Sequence, residues 1–160
     1  MSIPIHDEAR FRRTQISRQD FTQAAVFVAA ARKYSLDSIE YEALIIAAII
    51  HYARPFSNNE KGKAPPSDPK VAPELMEFDD EQLKLHEHIL ALRNKAVAHA
   101  EYTNYPIDVS ADGTSGGLEV TSYRWTVATE RLDPFGFKCL ADEMANRCAL
   151  GVYEDIELRR

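Results

Sequence analysis

The chain has 160 residues, 45% of them hydrophobic and 28% charged, which is typical of a globular protein of one domain with its own core. A net charge of −6 argues against a protein that coats nucleic acids non-specifically, since such binding depends on neutralising phosphates. An acidic chain can still carry a local basic patch. The longest apolar run, 43–50, is too short to span a bilayer and the first residues lack a signal-peptide pattern, so we expect a cytoplasmic protein without a membrane partner.

The first elements along the chain are an N-terminal arm and a helix. Residues 1–16 show no strong periodicity and are predicted to be an arm. Ser17 followed by Asp20 matches a capping-box pattern, which predicts a first helix over 17–34. Its apolar residues fall at helical spacing: Phe21, Ala24, Ala25 and Val28.

A second helix follows after a short connection. Asp37 and Glu40 repeat the capping pattern at its start, and Pro55 ends it. Its apolar stripe is continuous: Tyr41, Leu44, Ile45, Ala48, Ile49 and Tyr52. Because a helix that is apolar on most sides is buried on most sides, we expect this helix in the core.

The second half of the chain predicts a loop, a third helix and a hairpin. Residues 57–73 contain four prolines and form a Pro-rich loop. A third helix begins near Asp79 and runs without glycine or proline to about Tyr102. Residues 105–128 place β-branched and aromatic residues on both sides of a glycine-containing turn, which predicts a β-hairpin.

The last predicted element is a fourth helix. Asp133 as the cap and Pro134 at the first helical position open it, and it extends towards Leu158. We find no internal repeat and no sign of a second domain. The predicted fold class is mainly α, a four-helix up-down bundle with a small β-hairpin inserted between helices three and four, in a single domain over 1–160.

The third helix carries the run Arg-Asn-Lys-Ala-Val-Ala-His at 93–99. On a helical wheel, one apolar stripe contains Leu85, Ile89, Leu92, Ala96 and His99, and a second contains Leu83, Leu90 and Val97. Arg93 lies between the two stripes, where a bundle helix ordinarily carries leucine. A guanidinium there must find a carboxylate, a phosphate or water, because burying it unpaired is costly. Two interpretations are open. In one, Arg93 forms an ordinary ion pair with an acidic neighbour and His99 is a hydrogen-bonded core histidine; in the other, the two residues belong to a functional site.

The spacing of Arg93, Asn94 and His99 near the end of a third long helix resembles the signature of the HEPN superfamily. In that superfamily an arginine, often followed by a polar residue, precedes a histidine by four to six intervening residues. The resemblance covers 17–102 and 133–158. It implies either a metal-independent endoribonuclease of a toxin–antitoxin or phage-defence system, with an antitoxin-like partner, or a non-catalytic module that binds nucleotide, RNA or protein.

The residue types agree with the chemistry that this resemblance implies. His99 can transfer a proton near neutral pH, Arg93 can grip a phosphate through parallel hydrogen bonds, and Asn94 can hold the arginine or the phosphate. Six positions place Arg93 and His99 about 120° apart around a straight helix and about 9 Å apart along it. One helix therefore does not easily aim both at one phosphodiester, and we expect a homodimer whose two chains share a cleft.

Other residues are candidates for contacts with RNA: Lys95, His88, Arg54, His51 and Tyr102. For His51 and Arg54 the alternative is a helix C-terminus that places cations against its dipole. For Tyr102 the alternative to stacking on a base is packing in the protein.

The pair His86 and His88 does not predict a metal site. Two positions on a helix separate their side chains by about 200°, so they cannot chelate one ion together. The pattern is also not the His-Glu-x-x-His arrangement of zinc enzymes. We expect neither a metal nor a cofactor.

Overall fold

The computed structural model describes residues 8–57, 73–95, 107–111, 118–122 and 130–157. Over these ranges the chain is mainly helical, with four α-helices: α1 (Glu8–Ala31), α2 (Ile39–Ala53), α3 (Asp80–Arg93) and α4 (Pro134–Glu157). Two 3-10 turns and two strands complete the described elements: Arg54–Phe56, Pro73–Met76, β1 (Ile107–Ala111) and β2 (Leu118–Ser122). No helix of this described part is long and apolar enough to cross a membrane.

One hydrophobic core joins all four helices. α1 packs against α2 and α4, and α3 packs against α2 and contacts α4. The apolar stripes predicted for the first two helices supply much of this core, which confirms them: Phe21, Ala24, Ala25, Val28, Tyr41, Ile45, Ala48, Ile49 and Tyr52 are buried. The Tyr52 ring lies near its centre, with ring centroids 5.4 Å from Phe21 and 5.5 Å from both Phe56 and Phe137.

The beginning of α1 corrects the predicted arm. The helix begins at Glu8, so residues 8–16 are helical and Ser17 lies within the helix and not at its cap. The reason is that this part of α1 packs through polar groups. The Arg13 guanidinium donates to the Pro55 carbonyl at 3.0 Å, and the side chains of Ser17 and Asp20 are buried. A contact face made of polar residues leaves no apolar periodicity in the sequence.

The N-terminus of α2 differs from the prediction by one residue. Ser38 is its cap, and its Oγ accepts a hydrogen bond from the Tyr41 N–H at 3.1 Å. Asp37, the predicted cap, instead accepts a hydrogen bond from the Ser35 hydroxyl, which lowers the pKa of the Asp37 carboxyl.

The starts of α3 and α4 follow the prediction. Asp79 caps α3 in a reciprocal capping box with Gln82. Asp133 caps α4, since its carboxylate accepts from the Phe135 N–H at 2.9 Å and from the Gly136 N–H at 3.0 Å. A Cβ at position 136 would lie 2.6 Å from the Asp133 Oδ2, so this cap depends on glycine.

Several predicted elements extend beyond the described residues. α3 ends at Arg93 with Asn94 as its C-cap, whereas the prediction runs to about Tyr102. Residues 96–102 lie outside the described residues, as does the predicted loop over 58–72. β1 and β2 pair antiparallel, with Val109 opposite Val120. The connection over 112–117 lies outside the described residues, so the closed hairpin over 105–128 stays a prediction.

Candidate functional site

Arg93 lies at the end of α3 and faces the end of α2. A cavity of about 230 Å³ opens between the two helix ends. Its lining consists of Ala53, Phe56, Ser57, Leu90, Arg93 and Asn94. The half-buried Arg93 donates from one guanidinium nitrogen to the Asn94 Oδ1 at 3.0 Å. The first two residues of the predicted motif therefore form a contact at the edge of a cavity.

The charge of Arg93 has no carboxylate partner among the residues that the structure describes. In this part of the chain its side chain makes one hydrogen bond, the contact with Asn94. A guanidinium carries five N–H donors, and among the described residues only the Asn94 Oδ1 accepts from the Arg93 guanidinium. The ordinary ion pair that was one interpretation of this arginine is thus not present in the described residues.

Lys95, the next cation along the chain, does have an acidic neighbour. Its Nζ lies 3.5 Å from the Glu130 Oε1, and the lysine side chain is 42% exposed. An exposed ion pair at this distance stabilises a protein little, so a phosphate can replace it at low cost.

The other half of the motif lies outside the described residues. His99, proposed as the proton-transfer group, and Tyr102, a candidate for base stacking, both belong to the range 96–106. Their placement relative to Arg93 stays a prediction.

His51 and Arg54 gather around an aspartate of α1. The Asp20 Oδ1 lies 2.9 Å from the His51 Nδ1 and 3.3 Å from an Arg54 guanidinium nitrogen. The centroid of the His51 ring also lies 5.4 Å from that of Phe27, which belongs to α1 like Asp20. Neither His51 nor Arg54 lines the Arg93 cavity. The structure therefore brings these two candidates to each other and not to the motif.

His88 lies in a different cavity from Arg93. It is half-buried and lines a groove of about 710 Å³ between α3 and α4. This groove shares no lining residue with the smaller cavity beside Arg93. The arrangement follows from the helix, because five positions turn the side chain by about 140°.

Two helical turns before Arg93, α3 contributes to a buried polar pair that the sequence interpretation missed. The Tyr52 hydroxyl and the His86 Nδ1 share a hydrogen bond of 3.0 Å, and both side chains are buried. The His86 ring also contacts Phe56 and Phe78, at centroid distances of 4.6 Å and 4.8 Å. Seven positions separate His86 from Arg93, so both lie on one face of α3. Phe56 contacts the His86 ring and also lines the cavity beside Arg93.

The environment of this pair keeps both partners neutral. Burial lowers the pKa of His86, and the charge of Glu87 opposes this only in part. Burial also raises the pKa of Tyr52. The pair is thus a neutral buried hydrogen bond that fixes the end of α2 against α3. The seven-residue spacing places His86 on the same face of α3 as Arg93 and was the one sequence signal for its position. The spacing of His86 from His88 gives no such information.

No group of three or more histidine, cysteine, aspartate or glutamate residues in the described ranges could hold a metal ion. No family model, no curated protein and no solved structure matches the chain. The resemblance to the HEPN superfamily therefore depends on the sequence spacing of Arg93, Asn94 and His99 and on the helical fold of the described residues.

Proposed function

We propose that the chain is a HEPN-like, metal-independent endoribonuclease of a toxin–antitoxin or phage-defence system. In this proposal it acts as a homodimer, and Arg93, Asn94 and His99 meet at the cleft between two chains. The observation that supports it is the state of Arg93. Its guanidinium has no carboxylate partner among the described residues, is held by Asn94 and borders a cavity.

The chemistry of the proposed site needs only side chains and the RNA itself. The 2′-hydroxyl attacks the adjacent phosphorus, the bond from phosphorus to the 5′-oxygen breaks, and a 2′,3′-cyclic phosphate and a 5′-hydroxyl result. His99 takes the proton of the attacking 2′-hydroxyl, and a water molecule gives a proton to the leaving 5′-oxygen. His99 then passes its proton to the hydroxide so formed, which restores both the base and the water. Arg93 stabilises the negative charge that develops on the phosphate oxygens, and Asn94 keeps the guanidinium in place.

The four helices also suit an up-down bundle, as the resemblance implies. α1 is antiparallel to both α2 and α4, as contacts at the helix ends indicate. Arg13 near the start of α1 contacts Pro55 after α2, and Arg32 after α1 lies 5.8 Å from the Phe135 ring near the start of α4. We place the predicted hairpin between the third and fourth helices of this bundle, within a single domain over 1–160.

Contacts with the RNA backbone on either side of the cleaved bond come, in this proposal, from nearby cations. Lys95 follows the motif and has only a weak ion pair to exchange. Arg54 is half exposed and lies between Ala53 and Phe56, which line the Arg93 cavity. Tyr102 is proposed to stack on an unpaired base.

The second candidate function is a non-catalytic HEPN-like module that binds nucleotide, RNA or a protein partner such as an antitoxin. The net charge of −6 favours it, because a nuclease of RNA gains from a basic surface. In that case Arg93 and Asn94 bind an anion or stabilise a dimer without cleaving RNA.

The experiment is RNA cleavage by the purified protein in excess EDTA, with structured and unstructured RNAs. We expect cleavage that yields 2′,3′-cyclic phosphate ends and falls by about 10²-fold or more in Arg93→Ala and in His99→Ala. Arg32→Ala is the matched control, because Arg32 is exposed and lies against Phe135, away from the cavity. It should cleave like the wild type.

Two results would contradict the nuclease proposal. A folded wild-type dimer that cleaves none of the RNAs would favour the non-catalytic module. Equal cleavage by the wild type and a folded Arg93→Ala variant would remove Arg93 from the site.

A further inference from the structure

The cavity beside Arg93 has a size and a charge that suit one part of a nucleotide. Its volume is about 230 Å³, below the roughly 300–1,000 Å³ that is usual for pockets that enclose a whole small molecule. A cavity of this size suits a single flat ring system and is too small for a base pair. Of the described residues that line it, Arg93 alone is charged, so positive charge is in excess there.

The apolar wall of this cavity comes from two separate elements. Phe56 belongs to the 3-10 turn after α2, and Leu90 lies on α3. The Phe56 ring is held by aromatic neighbours, with centroid distances of 4.6 Å to His86, 5.5 Å to Tyr52 and 5.7 Å to Phe21. A ring that is already held in place loses little conformational entropy when another ring packs against it.

Two polar side chains of the lining offer hydrogen bonds to a ligand. The Ser57 hydroxyl donates to the Ala53 carbonyl at 2.8 Å, so its oxygen acts towards a ligand as an acceptor. The Asn94 Oδ1 already accepts from Arg93, so the amide nitrogen of Asn94 is the group that donates. Every nucleobase carries donors and acceptors along its edges, whereas an apolar ring carries neither. The lining therefore favours a polar flat ring over an apolar one.

From this combination we infer that the cavity binds the base of an unpaired nucleotide whose phosphate is bound by Arg93. The base contacts Phe56 and Leu90, and its edge forms hydrogen bonds with Ser57 and Asn94. Because Arg93 lines the same small cavity, one nucleotide reaches both the guanidinium and the apolar wall. A base within a duplex is stacked and paired, so the substrate is single-stranded RNA. The choice of RNA rests on the proposed function, in which the phosphate on Arg93 is the one that is cleaved.

Binding of uridine 5′-monophosphate tests this base site without any cleavage. We would titrate it into the ¹⁵N-labelled full chain and follow the amide signals by NMR. Ribose 5-phosphate, which lacks the base, and uridine, which lacks the phosphate, are the comparison ligands. We expect saturable shifts in residues that line the cavity, and affinities for the two fragments that are lower by about tenfold or more. Equal affinities for the nucleotide and ribose 5-phosphate, or no saturable shift at the cavity, would overturn the inference.

Two variants of the lining and a matched control make the test specific. Phe56→Leu removes the ring but keeps an apolar side chain, and it should weaken nucleotide binding about tenfold while leaving ribose 5-phosphate binding unchanged. Ser57→Leu places a larger side chain in the cavity and should have the same selective effect. Phe135→Leu is the control, because Phe135 is 61% exposed and does not line the cavity. Wild-type nucleotide affinity in folded Phe56→Leu and Ser57→Leu variants would overturn the inference.

Cleavage of one RNA as a single strand and as a duplex separates the base site from the proposed nuclease activity. In excess EDTA, the wild type should cleave the single strand about tenfold faster or more, because only there is a base free to enter the cavity. Equal cleavage of both forms would overturn the base site and leave the nuclease proposal standing. Nucleotide binding that depends on Phe56, without cleavage of either form, would support the base site and contradict the nuclease proposal.

Discussion

The hydrogen bond between Tyr52 and His86 offers a sharp test of how α2 and α3 are held together. Tyr52→Phe removes one hydroxyl and keeps the ring that contacts Phe21, Phe56 and Phe137. No large cavity forms, but the His86 Nδ1 loses its partner while it stays buried. An unsatisfied buried polar group costs about 1–3 kcal/mol. For a chain of this size that corresponds to a decrease in melting temperature of about 2–12 °C.

The assay is urea unfolding at neutral pH, followed by circular dichroism, on the wild type and two tyrosine variants. Tyr34→Phe is the matched control, because Tyr34 is 47% exposed and its side chain has no hydrogen bond among the described residues. We expect the free energy of unfolding of Tyr52→Phe to fall by the amount above and that of Tyr34→Phe to stay near the wild type. If the two variants are equally stable, the hydrogen bond between Tyr52 and His86 does not hold the helices.

Three further predictions concern pH and the cap of α4. Burial lowers the pKa of His86 from its ordinary 6.5, so its contribution to stability is present above that value and is lost as the pH falls towards the folded-state pKa. Urea unfolding at neutral pH and at about pH 5 should therefore show a loss in the wild type that is smaller in His86→Gln; equal losses would contradict this. Asp133→Ala removes both cap bonds of α4 and should lower the free energy of unfolding by about 0.5–2 kcal/mol, while the exposed control Asp142→Ala changes it less. Gly136→Ala should destabilise the wild type through its approach to the Asp133 carboxylate but add little in the Asp133→Ala background; additive effects in thermal denaturation would show that the contact is absent.

Local patterns predicted the buried face of α2 and the starts of α3 and α4. The stripe from Tyr41 to Tyr52 predicts a buried helix, and the structure buries it. Asp133 with Pro134 marks the start of α4, where the aspartate accepts two backbone hydrogen bonds. Such signals are readable because a cap or an apolar stripe depends only on residues a few positions apart.

Contacts between distant residues could not be predicted in this way. Asp20 has the spacing of a capping box with Ser17, but its carboxylate lies beside His51 and Arg54, more than thirty positions away. The contact of Arg13 with the Pro55 carbonyl is likewise polar and distant, so residues 8–16 show no apolar periodicity. A residue whose partner is polar and distant leaves no periodic signal in its own segment.

The candidate site was predictable in part. The place of Arg93 between two apolar stripes indicated an unusual arginine, and the structure gives it Asn94 and a cavity. The sequence did not reveal that His86 lies buried on the same face, because its partners Tyr52 and Phe56 are thirty or more positions away. Leu83, placed on an apolar stripe, is 43% exposed, since α3 packs through the side that carries Ile89 and Leu92.

The central claim is that Arg93 and Asn94 of one chain act with His99 of another on one RNA phosphodiester. The most direct test mixes the Arg93→Ala and His99→Ala chains after refolding them together and measures RNA cleavage in EDTA. The proposal predicts that each variant alone is inactive and that the mixture recovers about a quarter of the wild-type activity, because half of the dimers are mixed and each of these has one intact site. If the wild type cleaves RNA but the mixture stays inactive, the site is not shared between two chains and the claim is wrong.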